Sequence, residues 1–198
     1  KIWQQFEVGL DFHSTMQHTA PMIISAGEAF HEDLYKGIPA SIVITNIDVV
    51  QIGLPVFGFF GQGTGSKTPV FEVECGQHED PNSHTVAYEA ALTLLRNLGM
   101  IEDNAGSTVA QQQKCQYQEY QVFGKLVFPN KNYRLVRSFA DFEFIEKGTL
   151  LARGDGIKMV AEEDCHTIFC KDSKSIPTWA DTGEEALFLT KPVRFKGQ

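Results

Sequence analysis

Phe6-Glu7-Val8-Gly9-Leu10-Asp11-Phe12-His13-Ser14-Thr15 and, further along, Val70-Phe71-Glu72-Val73-Glu74-Cys75-Gly76-Gln77-His78 are the two stretches from which the reading of this chain grows. Each starts as an apolar run of strand character and passes into polar, basic or metal-competent side chains. The pattern predicts a strand over 6–12 followed by a polar loop over 13–18, and a second strand over 70–73 that stops before Glu74. Strand ends are where open α/β sheets build their sites. Asp11 and His13 lie two apart and so share a strand face, which lets His13 reach an ion while Asp11 supports the imidazole or the local loop. Glu74 stands where an apolar run stops, a setting that desolvates a carboxylate and raises its pKa toward general-base duty. Singly, each is weak: a strand-end histidine is commonly just hydrogen-bonded, and a glutamate commonly solvated.

Around these stretches, Ile23-Ile24 and Ser41-Ile42-Val43-Ile44 are further strand candidates, and Gly27 to Tyr35 reads as a short helix closed by Gly37. The clearest helix follows Glu79. Asp80 can cap it and Pro81 suits its first turn, with Ala87, Ala90, Ala91, Leu94, Leu95 and Leu98 forming a small-residue stripe before Gly99. From Cys115 onward, short strands around Val122, Tyr133 to Val136 and Phe142 to Ile145 alternate with Gly, Pro, Asn and Lys-Gly turns, the pattern of a β-sandwich or partly open barrel. The expected class is therefore α/β followed by all-β. The α/β part covers 1–103, a polar linker 104–114, and the β domain 115–198.

Composition bounds the function. Seventeen Lys+Arg against 25 Asp+Glu give a formal net charge of −8, which opposes a nucleic-acid partner or an anionic membrane surface. No apolar run reaches the roughly 18–20 residues of a membrane span, and no charged-then-apolar leader opens the chain. The four cysteines, at irregular spacing, do not make a disulfide framework, so the reading is of reduced thiols in the cytoplasm.

Three other patterns invite a chemical reading. Gly61 to Lys67 lacks the G-x-x-x-x-G-K-(S/T) spacing of a phosphate loop and precedes a strand, so it reads as a surface loop. Cys165, His166 and Cys170 sit on or beside a strand, where side chains one or five apart point to opposite faces and cannot converge on zinc. The turns around Glu146 to Met159 have the cast of a lipoyl- or biotinyl-carrier hammerhead, with Lys158 as the carrier lysine. The flanking residues do not match, and a solvated hairpin lysine is the commoner case.

Taken together and in this order, the two opening stretches resemble the succinylglutamate desuccinylase/aspartoacylase family of zinc deacylases, relatives of the metallocarboxypeptidases. Asp11-Phe12-His13-Ser14-Thr15 is similar to that family's D-L-H-(N/S/T)-T element, and Glu74-Cys75-Gly76 to its E-x-G. The Asp80-capped helix and the trailing β domain, with Lys147 to Ala152 matching K-G-x-x-L-A, fall in the family's order. The resemblance implies a partial zinc-carboxypeptidase-like α/β sheet domain plus a C-terminal β domain, with His13 as a zinc ligand and Glu74 as general base. It also implies hydrolysis of the amide of an N-acyl amino acid or similar small acylated amine. His78, just past Glu74, is a candidate for the substrate pocket, and Asp11 for support of the ligand. His84, in the first turn of the helix, reads as a surface residue, and Cys75 faces away from Glu74 into the core.

The chain departs from the family pattern in one respect. The family's first two zinc ligands come from an upstream H-x-x-E, accompanied by an Asn-Arg pair that grips the substrate. Here the third position after the six histidines holds Met16, Pro21, Leu34, Pro81, Ala87 and Phe169. Only one of three expected protein ligands is present. Together with a first residue Lys1, this reads as the C-terminal portion of a deacylase lacking its upstream segment and inactive alone. An exposed sheet edge would then favour a homo-oligomer or a partner chain. The competing reading is a non-catalytic binding module that keeps the scaffold without metal.

Overall fold

The computed structural model describes residues 7–25, 32–50, 69–102, 117–171, 183 and 185–193. The expected Gly61 to Lys67 loop, the first turn of the Gly27 to Tyr35 helix and the 104–114 linker lie outside them. Strand β1 spans Gly9–Thr15, β2 Met22–Ser25, β3 Ile42–Thr45 and β4 Val70–Gln77. Single turns α1 (Glu32–Tyr35) and α2 (Ile47–Val50) flank β3, and α3 covers Ser83–Asn97. Then come β5 (Gln118–Val127), β6 (Arg134–Leu135), β7 (Phe144–Ile145), β8 (Leu150–Gly154), β9 (Ile157–Val160), β10 (Cys165–Ile168) and β11 (Glu185–Pro192).

One mixed sheet of eight strands, ordered β1-β4-β2-β3-β5-β11-β10-β7, runs through the described part of the chain. β6, β8 and β9 form a separate three-stranded sheet. The join between the two expected halves is β5. Its first residues pair in parallel with β3, Ile42 opposite Gln118 and Thr45 opposite Gln121, while it pairs antiparallel with β11 from Tyr120 to Val127. Both the α/β stretch and the β stretch therefore contribute strands to one hydrogen-bonded surface.

The two opening strands are longer than their apolar runs. Polar His13, Ser14 and Thr15 are strand, not loop, because the ladder to β4 continues with His13 opposite Glu74 and, past a bulge, Thr15 opposite Gln77. Glu74 accordingly lies inside β4, with Cys75, Gly76 and Gln77 beyond it. Backbone pairing, which hydropathy does not report, carries both strands past the point where apolar residues end.

Side-chain alternation gives β4 two different faces. Phe71, Val73 and Cys75, with Ile23 and Val43, join Val86, Ala90 and Leu94 of α3 in one apolar cluster. α3 starts later than its sequence signals, with Asn82 at the N-cap; Asp80 instead accepts the Asn82 N–H at 2.8 Å in a preceding turn. Its buried positions are Ser83, Val86, Ala90, Thr93 and Leu94, so Ala91 and Leu95 of the expected stripe lie to its side. Gly99, at φ 67, closes the helix with its N–H on Arg96 O at 2.8 Å, the glycine stop expected there.

The other face of the sheet packs Met22, Ile24, Ile44, Val122, Ile168 and Phe188 in a second cluster. A third unites the end of the large sheet with the small one, through Leu126, Ile145 and Leu187 against Leu135 and Leu151. Cys165 and Cys170 are both buried in this third cluster. They share it because the chain leaves the alternating pattern at Phe169, φ 52, just past β10.

Candidate active site

Parallel pairing of β1 and β4 sets Asp11 opposite Glu72 and His13 opposite Glu74. Directly paired residues on neighbouring strands project from the same face, so three carboxyls and one imidazole stand together. His13 Nε2 donates to Asp11 Oδ2 at 3.2 Å. The ligand atoms of Asp11, His13 and Glu72 all lie within 4.8 Å of one another, a spacing that would hold a metal ion. Among the described residues this is the one such group.

Burial grades these acids. His13 is exposed and Asp11 half-buried, whereas Glu72 and Glu74 are both 7% exposed. The strand that follows β4 in the sheet explains the difference: β2 sets Met22 opposite Glu74 and Ile24 opposite Glu72, both fully apolar and buried. Desolvation, then the neighbouring Glu72 carboxylate, with smaller contributions from Asp141 and Asp11, pushes Glu74 up to about 8. Burial likewise raises Glu72, opposed by the His13 imidazole. Glu74 Oε2 is buried with no hydrogen-bond partner among the described residues. A carboxyl of this kind, poised near neutrality, can take and return a proton at that oxygen.

His78 stands at the exposed rim. Its Nδ1 is hydrogen-bonded to Ser14 Oγ at 2.7 Å, and its N–H donates to Thr15 O at 2.9 Å. It is thus fastened to the end of β1, two residues from His13. Gly76, at φ 107, makes the bend that carries the chain from Glu74 toward this contact. Cys75 points into the α3 cluster, where burial pushes its thiol up to about 11, with no thiolate for nucleophilic duty. His84 is exposed on α3. Lys158 is exposed on β9 beside a hairpin turn.

Two acids at the site were not assigned from sequence. Glu72 is two residues from Glu74, and that i, i+2 spacing carried the signal. Asp141 had none, since only tertiary folding brings it near. It is a half-buried carboxyl raised by desolvation, and Asp141 Oδ1 accepts the Phe169 N–H at 2.8 Å. Gln17, in the turn after β1, donates to Cys170 O at 2.8 Å, so the loop leaving the site is tied to the same corner as Asp141.

No protein-family model matches the chain, and no curated protein matches it. Solved structures do. The fold superposes on succinylglutamate desuccinylase from Vibrio cholerae with a TM-score of 0.70 at 12% identity, covering 99% of this chain and 59% of that one. It superposes on a succinylglutamate desuccinylase/aspartoacylase from Rhodobacter sphaeroides with a TM-score of 0.62 at 12% identity, covering 98% of this chain and 61% of that one. The product-bound ectoine utilization protein EutE (DoeB) from Ruegeria pomeroyi gives 0.62 at 13% identity, with 96% and 60% covered. The chain has the succinylglutamate desuccinylase/aspartoacylase fold. It spans about three fifths of the length of those structures. Within this fold, the paired strands β1 and β4 carry the histidine and glutamate to which the resemblance assigned chemistry, and they set the two directly opposite each other.

The donor set fits zinc in kind, because imidazole nitrogen and carboxylate oxygen are both zinc ligands. It fits electrostatically as well. Four carboxyls, Asp11, Glu72, Glu74 and Asp141, act on one another with a single imidazole among them, an arrangement that a divalent cation relieves. With Asp11 engaged by the imidazole, the set offers two of the three protein ligands usual for catalytic zinc, His13 and Glu72.

Proposed function

We propose that this chain carries part of the centre of a zinc-dependent deacylase that hydrolyses the amide of an N-acyl amino acid or a similar small acylated amine. The observation behind this reading is the direct pairing of His13 with Glu74 across β1 and β4, next to a group of donor atoms within 4.8 Å. His13 and Glu72 would hold the ion, and Asp11 would orient the imidazole through Nε2, as a carboxylate commonly does for a ligating histidine. The chemistry zinc supplies when bound is polarisation of the amide carbonyl and acidification of water. Glu74 takes a proton from the attacking water at Oε2 and delivers it to the departing amine. The buried wall of Met22 and Ile24 keeps solvent from that oxygen. His78, steadied by Ser14, contacts the acyl or amine portion at the rim. The substrate is a small molecule, and the net charge of −8 argues against a nucleic-acid partner or an anionic membrane surface.

The test compares metal content and deacylase turnover of the complete gene product with those of these 198 residues. The complete product is expected to bind zinc and turn over, and the 198 residues alone to do neither well. Stoichiometric zinc with turnover from the short chain would overturn the incomplete-centre reading. Glu74→Gln in the complete product should keep zinc and lose about 10²–10⁴ in turnover, whereas His13→Ala should lose the zinc. The presence of a single imidazole in the cluster favours a second reading, a binding module that has the scaffold without the metal. An H-x-x-E in the preceding gene sequence decides for the enzyme, and its lack for the module.

A further inference from the structure

The small sheet, β6-β8-β9, has a character opposite to that of the acidic face. Its register places Arg134 of β6 opposite Arg153 of β8, and Arg153 opposite Lys158 of β9. Side chains directly opposed in antiparallel pairs share a face about 4.5–5.5 Å apart at Cβ, so two guanidinium groups and an ammonium form one row. Like charges in that position repel, and they do so here in a chain whose net charge is −8. All three line a single open cleft of about 500 Å³, whose apolar wall includes Leu135 and Ile157.

Among the described residues no carboxylate forms an ion pair with the row. The lining acid is Asp155, and its two oxygens accept from the side-chain amides of Asn130 and Asn132 at 2.7 and 2.8 Å. That engagement fixes the hairpin turn Asp155-Gly156, both at positive φ, as a two-residue turn of the favoured hand. Arg134 is aimed by its own loop, donating to the backbone carbonyls of Lys131 and Tyr133. Neither Arg153 nor Lys158 forms an ion pair among the described residues. The turn is held, one guanidinium is preset, and two further cations are left facing the same space.

The geometry points to a phosphate-binding cleft, with the phosphate group on the row Arg134, Arg153 and Lys158 and any organic part of the ligand against Ile157. Guanidinium groups meet phosphate oxygens in pairs, and lysine adds a point charge. The occupant is a small phosphorylated molecule or free phosphate. This site is independent of the deacylase centre, and its test does not involve that centre.

The isotope-labelled full chain is titrated with sodium phosphate and, separately, with phenyl phosphate, each against sodium chloride at matched ionic strength, and amide shifts are followed residue by residue. Saturating shifts at Arg134, Arg153 and Lys158, with a Kd of about 1 mM or tighter, support the cleft. Tighter binding of phenyl phosphate identifies the ligand as an organic phosphate, and equal binding identifies it as the free ion. Arg153→Gln should weaken binding about tenfold while leaving the thermal midpoint in phosphate-free, low-salt buffer unchanged or higher, because the middle cation of a repelling row is gone. Should that variant fail to fold, exposed Lys158→Gln reads the same loss. Shifts that chloride reproduces, that fail to saturate, or that persist unchanged in the variant overturn the proposal.

Discussion

Gly76 and Gly154 show how single residues hold the two sites in place. Gly76 has φ 107, a region that side-chain-bearing residues rarely adopt, and it lies between Glu74 and the His78–Ser14 contact. Gly76→Ala should lower stability by about 1–3 kcal/mol, read from denaturant unfolding. Gly154 is constrained by space instead: a Cβ there would lie 2.7 Å from the Tyr133 backbone and ring. Gly154→Ala should cost about 1–3 kcal/mol by overpacking, and should also disturb the loop that aims Arg134. His166 gives the pH prediction. Its Nδ1 is buried without a hydrogen-bond partner among the described residues, its ring lies 5.5 Å from those of Tyr120 and Phe144, and burial lowers its pKa. A group that resists protonation in the fold contributes fully above its unfolded pKa of about 6.5, and that contribution is lost as pH falls below it. Between pH 7 and pH 5 the thermal midpoint should therefore fall less in His166→Phe than in the parent chain, and the His166 imidazole should titrate below the ordinary range by NMR.

At the scale of elements, β1, β4 and α3 are where sequence signals and structure part company. Apolar runs located β1 and β4 but not their ends, because the polar half of each strand is held by its neighbour's backbone. The Asp80 and Pro81 signals mark a turn ahead of the helix, with Asn82 at the cap. The packing of α3 on β4 was legible in its small residues, and Ala90, fully buried, sits at the contact. Ala90→Leu should destabilise by about 1–3 kcal/mol through overpacking, measured by thermal unfolding. Ala91→Leu, off the contact, should be close to neutral. The alternation argument separated Cys75 from Glu74 correctly, since both lie within one regular strand. The same argument failed for Cys165 and Cys170, where Phe169 at positive φ interrupts the strand.

For the molecule as a whole, β5 is the decisive element. It pairs with β3 on one side and β11 on the other, so loss of either half strips hydrogen bonds from the other. Unfolding in denaturant should therefore appear as one transition, with circular dichroism and residue-resolved NMR giving the same midpoint. Two separated midpoints would show that the stretches on either side of 104–114 are thermodynamically independent. The sequence by itself determined the character of the chain: strands around one long helix and then strands alone, an acidic balance, and Asp11, His13 and Glu74 as polar side chains where apolar runs end, the roles of these and of His78 being what the resemblance implies. Those features depend on local periodicity and on residue type, which a linear string records. Only the tertiary structure decided that Asp11 faces Glu72 and His13 faces Glu74, that Asp141 joins them from far along the chain, and that three cations line up across the small sheet. Register between strands distant in sequence is set by which faces can be buried together, and no local window of sequence contains both partners.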